Sequence, residues 1–141
     1  MLYAPIDTKK IPSILEGKEN IIPVAIIGSG PAGLAAAIPA ARSGYHTVVF
    51  QGIKPGGELM DAQIVENWPG MAKESGATSM KRLEEQVTSL GSHLVPLVVE
   101  DIDVRSWPYK LQINDGTTAY ALTIIIATGA SQKKLGIPGE D

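Results

Sequence analysis

The stretch Val24-Ala25-Ile26-Ile27-Gly28-Ser29-Gly30-Pro31-Ala32-Gly33 decides how this chain is read. A short apolar, largely β-branched run closed by glycine suits a strand buried on both faces. Pro31 stands where a helix begins, a position that tolerates a missing N–H. Ala32 to Ser43 reads as that helix, and Gly44 as the residue that ends it. Thr47 to Phe50 is a second apolar strand. Residues 22–51 therefore spell strand, glycine-rich turn, helix, strand, a βαβ unit of the usual size of about 30 residues.

The turn Gly28-Ser29-Gly30-Pro31-Ala32-Gly33 matches G-x-G-x-x-G, and its place between a strand and a helix gives the pattern weight. Gly28 permits the sharp turn. Gly30 has no Cβ, so a pyrophosphate can approach the backbone. Gly33 lets helix and strand pack closely, and the anion meets free N–H groups at the helix N-terminus. An acidic residue that holds the ribose hydroxyls is expected about 20 residues further on. Gln51 occupies that place, a neutral hydrogen-bonding side chain that does not decide between FAD, NAD and NADP. Pro39 lies inside the predicted helix, where it removes a donor and crowds the Ala35 carbonyl.

Outward from this unit, residues 52–76 are loop-like, with Pro55, Gly56, Gly57, Pro69, Gly70 and Gly76. A second helix is predicted over Thr78 to Leu90, with Met80, Leu83, Val87 and Leu90 on one face. Three strands follow: Leu94 to Val104; Tyr109 to Ile113, with apolar residues alternating; and Tyr120 to Ala127. Asn114-Asp115-Gly116 supplies a tight turn between the last two. Residues 1–21 show no period and read as an N-terminal extension. The predicted architecture is α/β, with Val24–Ile27 central and parallel to Thr47–Phe50 and Ile124–Ala127. The strands around Val95–Ile113 form a small antiparallel excursion on that sheet.

Composition narrows the function classes. Of 141 residues, 44% are hydrophobic and 19% charged, which fits a globular domain rather than a disordered one. A net charge of −3 gives no electrostatic footprint for nucleic acid or an anionic membrane. There is no cysteine, hence no disulfide, thiolate ligand or thiol nucleophile. His46 and His93 are the two histidines, too few for a histidine-built metal site, so no metal is expected. No apolar run is long enough to span a bilayer, and the charged N-terminus lacks the apolar core of a secretory signal. Cytoplasmic residence is the expectation.

From Val24 to Asp141 the sequence resembles the low-molecular-weight thioredoxin reductase family. The motifs that carry the resemblance are Gly28-Ser29-Gly30-Pro31-Ala32-Gly33, Pro55-Gly56-Gly57-Glu58-Leu59 and Val65-Glu66-Asn67-Trp68-Pro69-Gly70. Ile125-Ile126-Ala127-Thr128-Gly129-Ala130-Ser131 and Leu135-Gly136-Ile137-Pro138-Gly139 follow in the same order. The glycine turn and the Ala-Thr-Gly motif are shared by many flavin-dependent reductases, whereas the Glu-Asn-Trp-Pro-Gly string is much more specific.

The resemblance implies a three-layer, Rossmann-like FAD-binding domain over residues 22–141. Ser29, Gly30, Pro31 and Ala32 would line the pyrophosphate, between Gly28 and Gly33. Gln51 and Gly52 would sit near the adenosine ribose, and Val99 would flank the adenine. Gly57 and Glu58 would follow the flavin's linker, and Asn67 would bond the isoalloxazine edge. Ala127, Thr128 and Gly129 would close over the cofactor. The parent reaction implied is hydride from NADPH to FAD, then electrons to the disulfide of a thioredoxin-like protein.

The chain departs from the family at Glu58, where Gln is usual, at Met60-Asp61-Ala62-Gln63, where a threonine-rich run is usual, and at Gln51. The family's Cys-x-x-Cys pair, its NADPH domain and the C-terminal segment that returns to the flavin site would lie beyond residue 141. The chain would then be an incomplete, N-terminal part of a discontinuous FAD domain. It would have no catalytic residue of its own, and its sheet edge would favour a homodimer or a partner chain. The alternative is a non-enzymatic nucleotide-binding or interaction module, or a truncated product without independent activity.

Overall fold

A computed structural model describes residues 21–70, 73–131, 133 and 135–138. The extension expected over residues 1–21 lies outside them except for Ile21, which already belongs to the first strand. In chain order the elements are β1 (Ile21–Ile27), α1 (Pro31–Arg42), β2 (Thr47–Phe50), a 3₁₀ helix (Gly57–Asp61), α2 (Gly76–Ser89), β3 (His93–Val95), β4 (Val99–Asp103), β5 (Tyr109–Ile113) and β6 (Thr118–Ile126).

These strands form one six-stranded sheet in the order β3-β2-β1-β6-β5-β4. β1 is central. It pairs in parallel with β2, Val24 opposite Thr47 and Ile27 opposite Phe50, and with β6, Ala25 opposite Ile124 and Ile27 opposite Ile126. The other strands are β3, parallel to β2, and the antiparallel pairs β5–β6 and β4–β5. Alternation along β1 serves both faces. Val24 and Ile26 pack with Val49 under Leu34 and Ala37 of α1 and Met80 and Val87 of α2. Ala25 and Ile27 face the other way and cluster with Val48, Phe50, Leu111, Ile113 and Ala121.

One expectation is corrected here. The stretch Leu94 to Val104 is not a single strand but two, β3 and β4, on opposite edges of the sheet. Pro96 has no N–H to give a ladder, so the chain cannot continue as a central strand there. The split also shapes the sheet. Five strand spacings would separate β3 from β4 in a flat sheet, roughly 24 Å. The four residue-to-residue steps from Val95 to Val99 reach at most about 14 Å. The sheet must therefore curl, bringing the β4–β5 ribbon over the face that the helices leave open. Val95, Leu97, Val99 and Ile102 accordingly pack against the second core cluster. This ribbon is the third layer.

Pro39 is accommodated without ending α1, which runs to Arg42. Both Pro39 and Ala35 are exposed, so water can hydrate the Ala35 carbonyl that loses its helical donor. α2 starts two residues earlier than expected. Ser75 caps it, its side chain accepting from the Thr78 amide at 3.2 Å. Beyond Ala121, β6 pairs on its β1 side alone among the described residues, and Ile126 is 67% exposed.

Candidate functional site

The strands that flank β1 end together. The Gly28 amide donates to the Phe50 carbonyl at 2.8 Å, and the Ala127 amide donates to the Ile27 carbonyl at 2.8 Å. The chain leaves all three strands here, at the carboxyl end of a parallel sheet, where open α/β sheets bind their ligands. A cleft of about 810 Å³ opens at this point.

Its floor is the glycine-rich turn. Gly28 has φ +110° and stands so close to β6 that a Cβ would lie 2.2 Å from the Ala127 carbonyl oxygen. Gly33 is buried under the turn, where a Cβ would meet the Gly28 carbonyl oxygen at 1.9 Å. It does not line the cleft; it sets the approach of α1 to β1. Gly30 is different. The nearest atom to a Cβ there is the Gly57 Cα at 4.0 Å, so its missing side chain leaves open space on the cleft side. Gly30 also caps α1 with an extended backbone, and no side chain bonds the first-turn amides. Pro31 has no amide, so that of Ala32, which lines the cleft, is the first-turn donor that stays available to an anion.

Ser29 is 1% exposed, and its hydroxyl is used within the protein. It donates to the Gln51 carbonyl at 3.2 Å and accepts from the Gly56 amide at 3.1 Å. This bonding draws the loop after β2 toward the turn, and Gly57 follows, its Cβ position 3.2 Å from the Gly30 Cα. The start of α2 packs equally tightly on the 3₁₀ helix, for a Cβ on Gly76 would lie 1.7 Å from the Leu59 carbonyl oxygen.

Of the residues expected at the site, Gly28, Ser29, Gly30, Pro31, Ala32, Gln51, Gly52, Gly57, Glu58, Val99, Ala127, Thr128 and Gly129 line this cleft. Gly33 lies beneath it, and Asn67 is exposed and stands outside it. The sequence reading missed Ile53, Lys54, Val98, Ala130 and Ser131, which also line it. Lys54 had a signal: it precedes Glu58 by four residues and Asp61 by seven. Its Nζ lies 3.1 Å from Glu58 Oε1 and 2.5 Å from Asp61 Oδ2. The hydrogen bonds to Asp61 and then Glu58 hold the Lys54 ammonium above the usual lysine range. No cluster of histidine and carboxylate side chains fit for a metal ion occurs among the described residues.

A mostly parallel sheet with a glycine-floored cleft at the carboxyl ends of its parallel strands, beside the start of α1, defines a Rossmann-like α/β domain. Residues 22–141 match the family model of pyridine nucleotide-disulphide oxidoreductases, and the chain belongs to that family. It is 43% identical over 118 residues to the thioredoxin reductase of Rickettsia bellii, covering 83% of this chain and 38% of that protein. It is 41% identical over 125 residues to the thioredoxin reductase of Peptoclostridium litorale, covering 86% and 39%. Among solved structures, thioredoxin reductase from Giardia duodenalis superposes with a TM-score of 0.79 at 36% identity, over 86% of this chain and 40% of that one. The chain thus spans about two fifths of the length of the relatives it matches, and corresponds to their N-terminal part.

Proposed function

We propose that this chain is the FAD-binding N-terminal portion of a thioredoxin-reductase-like oxidoreductase. The observation that carries this reading is the cleft itself, where the Gly28–Gly33 turn, the uncapped start of α1 and the Ala127–Gly129 segment converge. Its volume of about 810 Å³ falls within the range of small-molecule and cofactor sites. The residues fit an elongated dinucleotide. The backbone of Gly30 and the Ala32 amide would meet the pyrophosphate, Gln51 the ribose, and Val98 and Val99 the adenine. FAD, when bound, supplies the redox chemistry, and the protein positions it. The hydride donor in this reading is NADPH, held by a domain outside this chain. The final acceptor is the disulfide of a thioredoxin-like protein. The dithiol is likewise supplied elsewhere, since the chain has no cysteine.

That lack of cysteine favours a second reading, a nucleotide-binding or interaction module without redox chemistry. An ultraviolet-visible titration separates the two. Retention of added FAD through gel filtration, with the flavin bands perturbed, supports the first. Binding of ADP or NAD in preference to FAD supports the second as a nucleotide-binding module, and binding of none of the three overturns the first reading and leaves only the interaction module of the second.

A further inference from the structure

Among the described residues that line the cleft, Lys54 is the sole cation and Glu58 the sole anion. Lys54 belongs to the loop that the Ser29 hydroxyl draws against the glycine-rich turn, and Glu58 to the 3₁₀ helix that follows it. Gly57, immediately before Glu58, approaches Gly30, and the Gly57 amide donates to the Lys54 carbonyl at 3.0 Å. A carboxylate is thereby fixed one residue from the point where a pyrophosphate would approach the backbone, with a second, Asp61, close behind it. Two carboxylates in such a place repel a dianion. Lys54 Nζ touches both, at 3.1 Å and 2.5 Å.

We propose that Lys54 is a charge-compensating positioning residue of the cleft: by pairing with Glu58 and Asp61 it lets a wall with two carboxylates admit a pyrophosphate. The proposal rests on the dinucleotide reading above and adds to it why this chain holds carboxylates there. The three side chains together carry one net negative charge. Removal of Lys54 leaves two, removal of both carboxylates leaves one positive, and removal of all three leaves none. Dinucleotide affinity follows that order of charge. A loop clamp behaves differently, because either set of substitutions breaks the same ion pairs and both weaken binding. A lysine that left its carboxylates to grip phosphate directly behaves differently again, because the triple variant then binds as poorly as the single one.

The test is titration of FAD and, separately, ADP into the wild-type chain, K54M, E58Q/D61N and K54M/E58Q/D61N, at low and high salt. Thermal melts serve as the check that all four are folded. The side chains are 45% to 70% exposed, so the fold tolerates the changes. The expected order of affinity is E58Q/D61N, then the triple variant, then wild type, then K54M. Each step is roughly two- to tenfold at low salt and shrinks at high salt. A triple variant no better than K54M, or an E58Q/D61N variant weaker than wild type, overturns the proposal and leaves the dinucleotide reading standing. A wild-type chain that binds neither FAD nor ADP overturns both.

Discussion

The Ser29 hydroxyl accepts a hydrogen bond from the amide of Gly56 at 3.1 Å, across 27 residues of sequence. With its donation to the Gln51 carbonyl, this one side chain joins the turn after β1, the end of β2 and the loop before the 3₁₀ helix. Gly56 is buried, so its amide has no water to fall back on. Ser29→Ala is expected to destabilise the chain by about 1–3 kcal/mol, the cost of an unsatisfied buried donor. It should also weaken ligand binding by loosening the loop. Urea unfolding of the two proteins, read with an unchanged slope, measures the first effect.

Two glycines of the same motif should respond in opposite ways. Gly33→Ala puts a methyl 1.9 Å from the Gly28 carbonyl oxygen, backbone that cannot step aside. It should cost about 3 kcal/mol or more, or prevent folding. Gly30→Val meets nothing closer than 4.0 Å at its Cβ, and its extended backbone suits a β-branched residue. It should fold with nearly wild-type stability and lose dinucleotide binding. Comparable FAD titrations for wild type and Gly30→Val would remove this turn as the phosphate site.

The sequence was most informative where structure is local. The βαβ unit could be read because strand, turn and helix signals agree within 30 residues, and the observed α1 differs from expectation by one residue at each end. The close packing at Gly33 followed from the motif's own steric logic, whereas at Gly28 that logic offered the sharp turn and not the approach to Ala127. What could not be read is what depends on partners distant in sequence. Leu94, Val95, Leu97, Val98 and Val99 look like one apolar run, and only the sheet order reveals that β3 and β4 lie on opposite edges. Pro96 was the available signal. The Lys54 pairings were missed because a loop hides the spacing that a helix would have advertised, and Ser29 gave no hint that its hydroxyl serves the loop rather than a ligand.

Acid should unfold this chain partly through the ends of the antiparallel ribbon. The Arg105 guanidinium, and then its backbone amide, hold the Asp103 carboxyl well below the usual carboxylate range. The Thr117 hydroxyl and amide lower that of Asp115. Because both folded values are depressed, the unfolded chain takes up protons first as pH falls through about 4. The contribution is present above that value and is lost below it, down through the folded values. The double variant Asp103→Asn/Asp115→Asn should melt lower than wild type near neutrality and lose less on acidification. Parallel melting curves from about pH 6 to about pH 2 would show that these carboxylates do not contribute.

The chain of 141 residues alone should reduce no thioredoxin. Disulfide reduction by dithiol exchange begins with a thiolate, and there is no cysteine to form one. Hydride entry from NADPH needs a nicotinamide held against the flavin. The G-x-G-x-x-G turn occurs once in this sequence, and the cleft it floors is the one assigned here to FAD. Binding and reaction should therefore separate. FAD added to the chain should show a perturbed spectrum, yet NADPH oxidation with thioredoxin present should match a blank of free FAD without protein. The same assay repeated with Gly30→Val closes the argument. Turnover several times the blank that disappears in Gly30→Val would show that this cleft performs the chemistry unaided, and that the dithiol and the second nucleotide site are not required.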